Sequence, residues 1–120
     1  MSSTANTVMV AKINVTSGGG SPAVTATAKV KTHSGMVIWR VKNNTGSTLD
    51  NVKMTNFVPT GGNTQDLRIQ SGSFDDIDTG PIPSGHIANI PVLFDGDVGQ
   101  VYNYEIWVDG YLASDPQLEI

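Results

Sequence analysis

Met36-Val37-Ile38-Trp39-Arg40-Val41-Lys42, followed by Asn43-Asn44-Thr45-Gly46-Ser47 and then Leu49 to Val58, is the stretch whose reading decides the fold. Val37, Trp39 and Val41 alternate with Arg40 and Lys42, so one side of an extended chain is apolar and the other charged. The Asn-Asn-Thr-Gly-Ser segment is turn chemistry, because Asn and Gly tolerate positive φ at little cost. Beyond it Val52 and Met54 resume the alternation, and Pro59-Thr60-Gly61-Gly62-Asn63 stops it. The stretch is therefore strand, turn, strand. Trp39, in phase with two valines, is predicted to be the tryptophan of a β core.

The same period extends in both directions. Upstream, Thr7–Val15 places Met9, Ala11, Ile13 and Val15 on one face. Ser17-Gly18-Gly19-Gly20-Ser21-Pro22 breaks the pattern as a turn or short linker. Ala23–Thr32 reads as one strand with Val24, Ala26, Ala28 and Val30 inward, and Ser34-Gly35 turns the chain. Downstream, Asp66–Gln70 is a short strand holding Leu67 and Ile69. Ser71–Gly85 is an irregular loop anchored by Phe74 and Ile77. Ile87–Phe94 contains Pro91, which cannot donate to a ladder and so places that strand at an edge or a bulge. Gln100–Asp109 carries Tyr102, Tyr104, Ile106 and Val108 on one face and Trp107 on the other. Leu118–Ile120 closes the chain after Asp115-Pro116.

At 120 residues the chain is one domain's worth, 1–120, able to bury one core without metal or disulfide. Only 15% of residues are charged, and no amphipathic helix longer than a turn is visible. The expected fold is all-β, an antiparallel sandwich of seven to nine strands. Val24, Ala26, Ala28, Val30, Val37, Trp39, Val41, Val52, Met54, Ile90, Val92, Ile106 and Val108 are its expected buried residues. Residues 1–17 read either as the first home strand or as an arm on a Gly-rich tether that adds to a neighbouring copy.

Two stretches carry a resemblance. Val37 to Val52, with its Asn-Thr-Gly turn, resembles the hairpin of small bacterial immunoglobulin-like domains. Tyr102-Asn103-Tyr104-Glu105-Ile106-Trp107-Val108-Asp109-Gly110, with Asp115-Pro116 and Leu118-Glu119-Ile120, is similar to the closing strands of cupredoxin-like and immunoglobulin-like sandwiches. The resemblance implies a fold and no activity. Copper cupredoxins need Cys with two His, and this chain has no Cys.

Charge narrows the partners. A net charge of −4 with seven scattered basic residues argues against nucleic acid. Lys29/Lys31 and Arg40/Lys42 are read as solvated sheet faces. The absence of cysteine excludes disulfides, thiolate metal sites and cysteine nucleophiles. Residues 1–7 lack the basic and apolar regions of a signal peptide, and no run approaches a membrane helix. The expectation is an intracellular, virion-associated or already processed exported protein.

Candidate chemistry is sparse. Asp78-Thr79-Gly80 is the aspartic-protease triplet, yet Pro81 and Pro83 crowd it and only 40 residues follow, so it reads as a turn. Asp75, Asp76 and Asp78, with Asp95, Asp97 and Asp109, could supply oxygens to calcium, but the bidentate Glu of a calcium loop is missing. They read as loop carboxylates, with no cofactor. His33 and His86 are turn residues with no second ligand nearby in sequence. Asn14-Val15-Thr16 and Asn43-Asn44-Thr45 match the glycosylation triplet.

Trp107, Tyr102, Tyr104 and Tyr111 are the candidate interaction residues, because either Trp107 or the Tyr102/Tyr104 face must turn outward. The expected role is a non-enzymatic structural or interaction module, binding a protein partner or copies of itself. The alternative is a sandwich that binds carbohydrate or another ligand through exposed aromatics.

Overall fold

The computed structural model describes residues 9–32, 35–61, 68–69, 77–95 and 99–120, and residues 68–69 by backbone alone. The described chain is all-β, with no helix, in two sheets. Sheet 1 contains β1 (Met9–Ser17), β2 (Pro22–Ala26), β4 (Met36–Asn44), β8 (Ile87–Asp95) and β6 (Arg68–Ile69), in the order β2-β1-β4-β8-β6. Sheet 2 contains β3 (Lys29–Lys31), β11 (Gln117–Glu119), β9 (Val101–Val108), β5 (Val52–Pro59) and β7 (Ile77–Asp78), in the order β3-β11-β9-β5-β7. A further strand, β10 (Tyr111–Ser114), shares the edge of β9 with β11.

The sheets are mixed, which corrects the expectation of purely antiparallel pairing. β1 runs parallel to β4 over Met9–Thr16, and β3 runs parallel to β11. The cause lies in the segment read as one strand from Ala23 to Thr32. It is two strands in two sheets. The Thr27 amide donates to the Lys12 carbonyl in sheet 1, while the Ala28 carbonyl accepts from the Gln117 amide in sheet 2. Having crossed to the other sheet and back, the chain re-enters beside β1 in the same direction, which a hairpin cannot achieve. Ala28 sits at this crossing and is exposed, not inward as the alternation implied. Splitting of this kind also raises the described strand segments to eleven, above the seven to nine expected, several only two or three residues long.

Elsewhere the alternation holds, apart from a bulge in β5 between Thr55 and Val58. Ala11, Ile13 and Val15 of β1 and Val37, Trp39 and Val41 of β4 point inward from sheet 1. Val52 and Met54 of β5, with Tyr102, Tyr104, Ile106 and Val108 of β9, point inward from sheet 2. All belong to one core, joined by Val30, Ile77, Leu118 and Ile120 and flanked by half-buried Val24, Ala26, Ile90 and Val92. Each fully buried aliphatic side chain contributes about 1.5–3 kcal/mol. Pro91 pairs with Ile38 on the β4 side of β8, and the described pairing on its other side is confined to Phe94 and Asp95. The proline thus lies where a missing N–H breaks no described ladder. Leu67 and Phe74 lie outside the described residues.

β1 occupies an internal position. It pairs with β2 on one side and β4 on the other, so Met9–Ser17 is held by two ladders within its own chain. At the β3 edge of sheet 2 Glu119 receives Lys29 and Lys31 at 3.0 and 3.2 Å. Hydrogen bonds from those ammonium groups hold its carboxyl below the usual carboxylate range. Among the described residues no helix is long and apolar enough to cross a membrane.

Candidate functional site

Strand β9 settles which aromatic face turns outward. Tyr102 and Tyr104 are 0% and 2% exposed and belong to the core, so the expectation that they might form a binding surface is corrected. Tyr102 donates its hydroxyl to Gln100 Oε1 at 3.1 Å, and Tyr104 meets Trp39 inside the fold. Trp107, one step out of phase, lies half-buried on the outer face of sheet 2. Lys53 of β5 and Leu112 of β10 stand opposite it on either side.

Two irregularities shape the surroundings of Trp107. In β5 the register with β9 shifts between Thr55 and Val58, and Asn56 adopts φ 56° there. This bulge turns Phe57 toward the core, where it stacks on Tyr104 with centroids 4.8 Å apart, and leaves Asn56 outside. After β9, Asp109-Gly110 closes a two-residue hairpin with φ of 48° and 83°, the signs that a type I′ turn requires. The Asp109 carboxylate then accepts the amides of Asp50 (2.8 Å) and Asn51 (3.0 Å) through Oδ1, tying this turn to the start of β5.

Between these irregularities is a wide, open hollow of about 530 Å³. Lys53, Asn56, Trp107, Asp50 and Asp109 line it, from two separate segments of chain. Asn56 and Asp109 are the non-glycine residues with positive φ among the described residues, and both are in its wall. Asn and Asp are the side chains that adopt this conformation most readily, and here it fixes the bulge and the turn that frame the hollow.

Glu105 braces two of the lining residues. Its Oε1 accepts the amide of Asn56 and the indole N–H of Trp107, the latter at 3.0 Å. These hydrogen bonds, the Asn56 one first, hold the carboxyl below its ordinary range, so it stays ionised at neutral pH. The indole is thereby fixed in orientation with its ring available to a partner. The hollow offers an aromatic surface, amide donors and acceptors, one ammonium and several carboxylates.

The other candidates are dispersed. Tyr111 is 58% exposed on edge strand β10, beside Leu112 at 51%. Asp78 accepts the Gly80 amide at 2.9 Å and lies 3.5 Å from the Asn51 amide nitrogen, while Thr79 Oγ1 accepts the Val52 amide. The Asp78-Thr79-Gly80 triplet is in this way absorbed into a turn against β5. Asp75, Asp76, Asp97 and His33 lie outside the described residues. Asp95 ends β8, and His86 is exposed, its backbone carbonyl accepting the Asn43 amide. Asn43 itself is fully buried, its amide donating to Ser47 and Ile82 and its Oδ1 accepting from Thr45, so it is a structural pin and no accessible glycosylation acceptor.

Glu105, Asn56, Lys53 and Asp50 were not singled out by sequence reading. Two signals were present. Alternation in β5 fails at Asn56, where an inward residue was due, and Asp109-Gly110 is a strong hairpin dipeptide. The chain matches no protein-family model and no curated protein.

Proposed function

We propose that this chain is a non-enzymatic interaction module, an immunoglobulin-like or cupredoxin-like sandwich that grips its partner at the Trp107 hollow. The observation that carries this is the convergence of Asn56 and Asp109, the non-glycine residues with positive φ among the described residues, on the wall around one half-buried indole. The bulge and the turn re-aim the side chains around the indole, and bulges are over-represented beside functional sites. The two-layer arrangement, with strands passing between sheets, supports the sandwich assignment.

The non-enzymatic reading draws support from the carboxylates. Glu105 is held ionised by two donors, and Asp109 holds the backbone of Asp50 and Asn51. A general acid or base needs a pKa near the operating pH and freedom to exchange its proton. A protein partner, copies of the chain included, is the primary reading. A carbohydrate ring is the second, favoured by amide and carboxylate groups around an indole face.

The indole N–H resonance of Trp107 reports on both. It should shift across a dilution series if the partner is another copy. It should shift on titration with soluble gluco-, chito- or manno-oligosaccharides if the ligand is a sugar. An indole signal unmoved in every titration would overturn the hollow as the presented surface.

A further inference from the structure

The outer face of sheet 1 carries cations that no described carboxylate pairs with. Lys12, Arg40 and Lys42 are all exposed there, and Lys12 stands directly opposite Arg40 in the β1–β4 register. Like charges opposed across a ladder repel. The ion pairs found among the described residues are those of Lys29 and Lys31 with Glu119, on the other sheet. Aliphatic side chains flank the cations: Val10 and Ile87 are each 39% exposed, Val10 pairs with Ile38, and Ile87 pairs with Lys42. Arginine is enriched at protein interfaces, and Arg40 lies here on a face that also exposes aliphatic side chains.

The opposite outer face has the complementary charge. Around Trp107 stand Asp50, Asp109 and Glu105 against the single ammonium of Lys53. A guanidinium can stack on an indole and bind a carboxylate with two parallel hydrogen bonds, and Arg40 offers one to any neighbour that approaches.

We propose that copies of this chain associate head to tail, the Lys12–Arg40–Lys42 face of one copy seating on the Trp107 hollow of the next. The inference rests on the hollow being the presented surface, and it names the partner as a second copy. Because the two patches are on the outer sides of different sheets, the contact is heterologous. Each added copy leaves one face and one hollow free, so growth continues past a dimer into a ring or a filament. Attraction between exposed charges weakens once salt shortens the screening length to a few ångströms.

Light scattering on the full chain and two variants tests this. At about 20 mM salt the wild-type mass should rise with concentration beyond a dimer, and fall to a single chain at about 0.5 M. Arg40→Glu/Lys42→Glu removes the face, and Asp50→Lys/Trp107→Ala removes the hollow. Each should stay monomeric alone, with association weakened about a hundredfold or more. Mixed in equal amounts, the two should form a heterodimer through their remaining intact patches and grow no further. Circular dichroism confirms folding, and the exposed single substitution Asp50→Lys replaces the hollow variant if that one unfolds. A wild type that is monomeric at low salt, variants that assemble alone, or a mixture that stays monomeric would each overturn the proposal. A monomeric wild type whose Trp107 indole still responds to sugar would discard self-recognition and keep the hollow.

Discussion

The indole N–H of Trp39 reaches the hydroxyl of Tyr104 at 3.4 Å, a contact between the two sheets at the centre of the core. The rings meet edge to face, with centroids 6.0 Å apart and planes at 80°. Phe57 and Phe94 complete the cluster around Trp39 at 6.4 and 5.6 Å. Trp39→Ala should destabilise the fold by about 3–5 kcal/mol, through lost burial and the cavity left behind. Tyr104→Phe keeps the ring and should cost only about 1 kcal/mol. Urea unfolding of the two variants measures both. Equal losses would mean that the hydroxyl, and not the ring, holds the sheets together.

Tyr104 also makes stability depend on alkaline pH. Burial pushes its phenol up to about 12, opposed in part by the hydrogen bond from Trp39. The unfolded chain ionises this group near 10, so its contribution is complete below that value and is lost as pH rises through the folded pKa. The advantage of wild type over Tyr104→Phe should therefore shrink above pH 10 and reverse before pH 12, a change on the order of 2 kcal/mol. Unfolding curves at stepped pH check it, and an advantage that grows with pH would contradict it.

Asn43 is a second internal pin. Its backbone joins His86 and Gly85, and its side chain ties the 45–47 turn to Ile82. Asn43→Ala leaves several buried groups without partners and should cost about 2–4 kcal/mol. Asn43→Asp should be worse, since it exchanges two donated hydrogen bonds for a buried charge. Thermal melts should rank wild type above Asn43→Ala above Asn43→Asp. Asn44→Ala, at an exposed neighbour, should fall within about 0.5 kcal/mol of wild type.

Removal of residues 1–17 should abolish folding. β1 contributes Ala11, Ile13 and Val15 to the core and ladders to both β2 and β4. Loss of an internal strand exposes two edges and a core face together. A truncated chain that keeps a cooperative melt as a folded monomer would instead identify this segment as an exchanged arm.

Much of the fold was legible because burial on one face of a strand imposes a period of two. Val37, Trp39 and Val41, and the row from Tyr102 to Val108, follow that rule without reference to anything distant. The same rule misled between Ala23 and Thr32. Alternation records that a residue faces inward, and both sheets share the same interior. A strand that leaves one sheet for the other can therefore keep its phase, and only the partners of Thr27 and Ala28 reveal the crossing.

By itself, then, the sequence determined an all-β chain, most of its inward residues and the break in the chain after β4. Each of these depends on local stereochemistry or on a side chain's preference for water. Tertiary structure alone decided that β1 lies parallel to β4, that Trp107 and not Tyr102 or Tyr104 turns outward, and that Asp50, Asn56 and Asp109 meet around it. Those outcomes depend on which strands pair across long separations. Pairing is selected by the summed packing of the whole core, which no window of neighbouring residues contains.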